Sequence, residues 1–162
     1  MAKKILRVRM FAGSNGSGKS TLIKNLKEKI SFGIYLNADE IEEEIKRNHF
    51  VDLDKYALKL TNSHWLDYLD GQPTILSKIP TNDVCNIKIN QNILVGFPDK
   101  NLSYIAASIA DFLREMLFSA KKSFTFETVM SHPSKIEFIS RLNKNGYRSY
   151  LYFVATESCD IN

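Results

Sequence analysis

The sequence predicts an α/β fold, a mostly parallel sheet in three layers with helices on both faces. Three observations carry that prediction. Apolar, strand-like runs alternate with segments of helical periodicity along most of the 162 residues. The first run, which includes Val8, Met10 and Phe11, passes directly into a glycine-rich turn and then a helix. Strands separated by helices also need crossovers that return each strand parallel to the last. In such sheets ligands gather outside the carboxyl ends of the strands.

Residues 4–12 read as a first, buried strand, followed by Gly13-Ser14-Asn15-Gly16-Ser17-Gly18-Lys19-Ser20-Thr21. Leu22, Ile23, Leu26 and Ile30 then recur at helical spacing, predicting a helix over Lys19–Ile30. Gly33 punctuates, and the apolar run Ile34-Tyr35-Leu36-Asn37 suits a short second strand. The charged segment Glu40–Asn48 reads as a helix, with Glu42/Lys46 and Glu43/Arg47 four residues apart on a solvated face. From Leu53 to about Leu69 the pattern is again helical, ending at Asp70-Gly71-Gln72-Pro73. Residues 72–100 break the rhythm and read as an inserted loop or hairpin. There Ile87 and Ile89 alternate, Asn90-Gln91-Asn92 makes a polar turn, and Ile93-Leu94-Val95 follows.

A long amphipathic helix is expected next, with Ile105, Ile109, Phe112 and Met116 along one line. Ser123–Val129 reads as a strand. Pro133 opens a helix that Gly146 closes, and Tyr147–Ala155 is a final strand. One domain over residues 1–162 is expected at this length. Apolar content of 44% and charged content of 25% are those of an ordinary soluble globular chain. No apolar run approaches membrane-spanning length, and two cysteines without metal spacing suit a reducing cytoplasm. A net charge of +4 fits an anionic ligand. The lysines are scattered without an aromatic-interleaved stripe, so a nucleic-acid partner is not indicated and no membrane partner is.

The turn after the first strand matches G-x-x-x-x-G-K-[ST]. Such a loop wraps so tightly that side chains would screen its backbone N–H groups from a polyphosphate, and the following helix aims its positive end at the same anion. Gly13 to Thr21 are therefore the nucleotide-binding residues. Lys19 is expected to reach the β- and γ-phosphates, and the Ser20 hydroxyl to ligate Mg²⁺. Asp39 and Glu127 stand at the carboxyl ends of two further strands, facing the crevice where the loop lies. Asp39 reads either as the base for an attacking hydroxyl or as a helix cap, with Glu42 completing a D-x-x-E capping box. Glu127 needs a partner, a metal or a substrate, because a carboxylate in a buried strand is otherwise costly. It is also the nearest substitute for an absent Walker B acid.

His132, in Ser131-His132-Pro133, fits a turn or helix start as well as an acceptor contact, and His49 and His64 have no assigned role. Arg7 and Arg9 lie in the first strand away from its carboxyl end. Arg114, Arg141 and Arg148 sit in helices or at a strand start, and none is placed to neutralise a transferring phosphoryl group. A motor or transporter ATPase would want a Walker B and a Leu-Ser-Gly-Gly-Gln loop, and neither is present.

Four segments together resemble the zeta-toxin-like P-loop kinases: Phe11 to Thr21, Tyr35-Leu36-Asn37-Ala38-Asp39-Glu40, Ser123 to Pro133, and Gly146 to Thr156. The resemblance covers most of the chain outside residues 50–100. It is nearest to bacterial members described only as zeta-toxin-family proteins or ABC-type ATPases. It implies a P-loop NTPase or kinase-like sheet, with ATP and Mg²⁺ as cofactors. The ATP γ-phosphate would pass to a hydroxyl of a nucleotide-sugar or related small-molecule acceptor. Asp39 maps onto the base, Glu127 onto the acceptor-holding acid, and Thr128 and His132 fall beside it; an antitoxin-like protein partner would also fit.

The chain departs from the toxins where Glu40-Ile41-Glu42 replaces their Arg and His-Pro. The family also continues into a lid helix whose arginines clamp the phosphates, and this sequence stops at Asn162 before it. The alternative is thus a truncated or regulatory nucleotide-binding protein that transfers no phosphate.

Overall fold

The computed structural model describes residues 5–71, 81–129 and 133–155. In chain order the elements are β1 (Leu6–Ala12), α1 (Lys19–Lys27), β2 (Ile34–Leu36), α2 (Ala38–Asn48) and β3 (Val51–Asp52). A 3-10 turn (Asp54–Tyr56) leads to α3 (Asn62–Asp70), α4 (Thr81–Cys85), β4 (Lys88–Asn90) and β5 (Ile93–Val95). Then come α5 (Leu102–Ser119), β6 (Phe124–Thr128), α6 (Ser134–Lys144) and β7 (Tyr147–Phe153). The chain divides into two compact units, Met1–Tyr35 with Lys121–Asn162, and Leu36–Ala120.

The first unit is built on a four-stranded sheet in the order β2-β6-β1-β7. β1 runs parallel to both neighbours, with Met10 opposite Phe126 on one side and Leu151 on the other. Alternation along β1 assigns the faces. Phe11 packs with Ile23 of α1 and with Phe32, Leu22 and Leu26. On the opposite face, shared by Val8 and Met10, the rings of Phe124 and Phe126 lie 6.4 and 6.2 Å from Phe138 of α6. One helix therefore covers each face, the three-layer arrangement expected. α1 ends at Lys27 rather than Ile30, because the Lys29 and Ile30 N–H groups both turn back to the Leu26 carbonyl.

The second unit packs α2 against α5 around Ile41, Ile45, Ile105, Ile109 and Phe112. α5 buries the predicted stripe except Met116, which is half-buried. The hairpin expected within 72–100 is present as β4 and β5, turning at Gln91 and Asn92 with both residues at positive φ. That is the twist a two-residue hairpin needs. β3 joins as a third antiparallel strand, which the sequence did not reveal, and residues 72–80 lie outside the described residues.

The helix expected over Leu53–Leu69 is broken. Ala57 takes a left-handed conformation, and the Asn92 amide accepts from the Leu60 N–H at 2.8 Å and donates to the Leu58 carbonyl at 2.9 Å. A helix restarts only after Thr61, where the Thr61 N–H donates to His64 Nδ1 at 3.1 Å in a reciprocal capping box. His64 and His49, unassigned from sequence, thus serve helix ends, His49 as the left-handed C-cap of α2. Among the described residues no helix is long and apolar enough to cross a membrane.

Candidate functional site

The glycine-rich loop leaves β1 at a point fixed from both sides. The Gly13 N–H donates to the Thr128 carbonyl at 3.3 Å, and the Val154 N–H donates to the Ala12 carbonyl at 2.8 Å. A Cβ at Gly13 would lie 2.3 Å from the Val154 carbonyl oxygen and 2.8 Å from Ser17 Oγ, so the strand can turn there only on glycine. The Ser17 N–H closes a turn onto the Ser14 carbonyl at 3.2 Å. Gly18, at φ 90°, is the left-handed N-cap of α1. Ser17 is buried with its hydroxyl unpartnered, whereas Ser14, Asn15, Gly16, Gly18, Ser20 and Thr21 are exposed.

No side chain caps the first turn of α1, and no acidic residue stands in it. The unpaired first-turn N–H groups and the helix dipole there favour an anion. Lys19 Nζ folds back over the loop and donates to the carbonyls of Gly13 and Ser14, at 2.7 Å each. The arrangement offers a positive, open helix end with a tethered ammonium beside it.

Two predicted carboxyl-end residues join the loop in the same unit. β6 sets Glu127 beside Phe11 and Thr128 beside Ala12. Glu127 therefore shares the sheet face of Phe11 that α1 covers, and Thr128 takes the opposite face. Half-buried Glu127 accepts a hydrogen bond from the Tyr35 hydroxyl. Lys27 Nζ lies 4.1 Å from the Tyr35 ring centroid, a cation–π contact on the same ring. Tyr35 is thus one partner for the carboxylate in this strand. The sequence showed Tyr35 only as part of an apolar run; its meeting with Glu127 depends on β2 lying next to β6.

Asp39 lies in the second unit, exposed, as the second residue of α2. The capping reading of its side chain is corrected by the structure. Asn37 is the N-cap, its Oδ1 accepting from the Asp39 N–H at 2.8 Å and the Glu40 N–H at 3.4 Å. Glu42, the other half of the expected box, pairs with Lys46 at 2.8 Å instead. His132 lies outside the described residues. Among the described residues no three His, Cys, Asp or Glu side chains cluster to hold a metal ion. Of the arginines in the first unit, Arg141 stacks 5.1 Å from the Phe138 ring, Arg7 and Arg148 lie toward the amino ends of β1 and β7, and Arg9 is the middle residue of β1.

No protein-family model and no curated protein matches the chain. Among solved structures it is similar to a Chloroflexus aurantiacus J-10-fl protein provisionally described as a kinase. The TM-score is 0.51 at 12% sequence identity, and the match covers 95% of this chain and 62% of that one. This chain thus spans under two thirds of its neighbour's length. The likeness is one of α/β fold.

Proposed function

We propose that the chain binds ATP with Mg²⁺ on Gly13–Thr21 and is a small-molecule kinase of the zeta-toxin-like kind. The acceptor is a hydroxyl of a nucleotide-sugar or related molecule. The observation that carries this reading is the uncapped α1 N-terminus with Lys19 Nζ held 2.7 Å from the Gly13 and Ser14 carbonyls. Those carbonyls already hold the ammonium beside the amides an anion would use. The residues fit the cofactor, since the loop leaves open, positive groups where triphosphate oxygens need them and an exposed hydroxyl at Ser20 for the metal.

Bound ATP would supply the transferable phosphoryl group, with Mg²⁺ offsetting its charge. The chain's own part is positioning. Lys19 neutralises phosphate oxygens, Glu127 holds the acceptor, and Tyr35 fixes the Glu127 carboxylate through its hydroxyl; Thr128, on the other face at the strand end, is carried as a further acceptor contact. The exposed carboxylate of Asp39 takes the proton from the acceptor hydroxyl. His132 is carried as a further acceptor contact. In this reading the protein acts in the cytoplasm, with an antitoxin-like protein as its partner.

The second reading is a regulatory nucleotide-binding protein without transfer activity. It is favoured by the first-unit arginines, which sit in the first half or at the middle of their strands or on Phe138, short of the carboxyl ends where the loop lies. Phosphoryl transfer rests on charge neutralisation, so their placement matters.

Calorimetry with Mg–ATP and transfer from radiolabelled ATP to a panel of nucleotide-sugars separate the two. Lys19→Ala is expected to weaken ATP binding at least tenfold. Asp39→Asn should abolish transfer while leaving ATP affinity within a few-fold. Binding that depends on Lys19 without transfer to any acceptor establishes the second reading, and wild-type protein that ignores Mg–ATP ends both.

A further inference from the structure

Three arginines share one sheet face of the first unit, Arg7 and Arg148 near the amino ends of β1 and β7 and Arg9 at the middle of β1. In the parallel register of β1 with β7, Arg7 stands opposite Arg148 and Arg9 opposite Tyr150. All four side chains therefore leave the same face within two residues of strand. Like charges directly opposite in a sheet destabilise it. Among the described residues no carboxylate pairs with Arg7, Arg9 or Arg148.

The cluster has a floor and a rim. Arg9 is only 9% exposed, its guanidinium carbon lies 5.2 Å from the Tyr150 ring centroid, and its Nε is buried with no hydrogen-bond partner among the described residues. A buried guanidinium N–H left unsatisfied is costly unless something completes the site. Arg7 and Arg148 are exposed above it. Burial pushes the Tyr150 phenol up, but hydrogen bonds and charge from Arg148 and Arg7 outweigh it and leave the phenol below its ordinary value.

We infer that Arg7, Arg9, Arg148 and Tyr150 form an anion site for the phosphoryl group of a small molecule, separate from the glycine loop. Three guanidinium groups around one phenol suit a compact dianion, because each planar fork can hold two phosphate oxygens. The site is distinct by distance. Arg9 and Arg7 precede Gly13 by four and six residues, about 13 to 20 Å along a strand, too far for one phosphate to touch both places. It is also small. The next position on this face of β1 is Phe11, stacked 4.6 Å from Tyr152 and packed under α1. Toward the glycine loop the basic surface therefore stops, where a nucleic acid running along the strand would need a continuing row of phosphate contacts.

Titration of inorganic phosphate into the Lys19→Ala protein, whose loop has lost its ammonium, reads this site by calorimetry. Saturable binding is expected, weakened at least tenfold when Arg7→Gln and Arg148→Gln are added. Both side chains are exposed, so the melting temperature should hold. Should it fall, Arg148→Lys alone keeps the charge, loses the fork, and is expected to weaken binding three- to tenfold. Tenfold tighter binding of AMP than of phosphate makes the source a nucleotide, and equal affinity makes it free phosphate; either supports the site. Binding present in wild type but absent from Lys19→Ala, or unmoved by the arginine substitutions, overturns it. So does a fluorescent single-stranded oligonucleotide that binds when phosphate and AMP do not, which would make the cluster a nucleic-acid surface.

Discussion

Gly13 shows how much one residue can decide. Its missing side chain lets the Val154 carbonyl and the Ser17 hydroxyl approach the backbone where β1 ends. Gly13→Ala must move Val154, which is main chain and cannot swing aside as a flexible side chain could. The expected cost is about 1 to 3 kcal/mol, read as a lower denaturation midpoint with an unchanged slope. Loss of ATP binding should accompany it, since the shift displaces the loop itself. The letters of the motif announced this glycine. They did not announce that its neighbour would be Val154, more than a hundred residues along the chain.

At the scale of elements, the cap of α2 is Asn37 and not Asp39. Its first amides are satisfied by Asn37, one residue before the helix, so the Asp39 carboxylate has no structural duty at the cap. Asn37→Ala is expected to cost about 1 kcal/mol. Asp39→Asn removes only a favourable dipole interaction and should cost under about 1 kcal/mol. Thermal melts of the two variants, set beside their transfer activity, check this. Equal loss of stability in both would return Asp39 to a structural role. The capping box was misread because Asn37 and Asp39 are both good caps two positions apart, and the sequence carries no backbone angles to choose between them. The Leu53–Leu69 segment failed for a related reason. Its periodicity is helical, but Asn92, more than thirty residues away, takes the Leu58 and Leu60 main-chain groups for itself.

For the whole molecule, an alkaline limit follows from tyrosine burial. The Tyr147 hydroxyl donates to the Lys122 carbonyl at 3.0 Å, and burial pushes its pKa up to about 12. Below pH 10 both folded and unfolded chains keep the proton, and this residue's contribution is intact. Between pH 10 and 12 the unfolded chain ionises first, so stability falls as pH rises. Tyr56 and Tyr68, also raised by burial, act in the same direction. Tyr147→Phe should lose about 1 kcal/mol at pH 8 with the hydrogen bond. It should then show a smaller drop than wild type between pH 8 and 11 in urea unfolding. An equal drop in both would place the alkaline sensitivity elsewhere.

What the sequence settled by itself was local and periodic. The alternation of strand and helix, the glycine loop between β1 and α1, the stripe of α5 and the polar turn of the β4–β5 hairpin all depend on neighbours a few residues apart. Such spacings are written directly in the chain. What only the tertiary structure decided were meetings between distant segments: Tyr35 with Glu127, Gly13 with Val154, Asn92 with Leu60, and Arg7 opposite Arg148. Strand order and register bring those pairs together, and they arise from burying many side chains at once, a balance no short window of sequence contains.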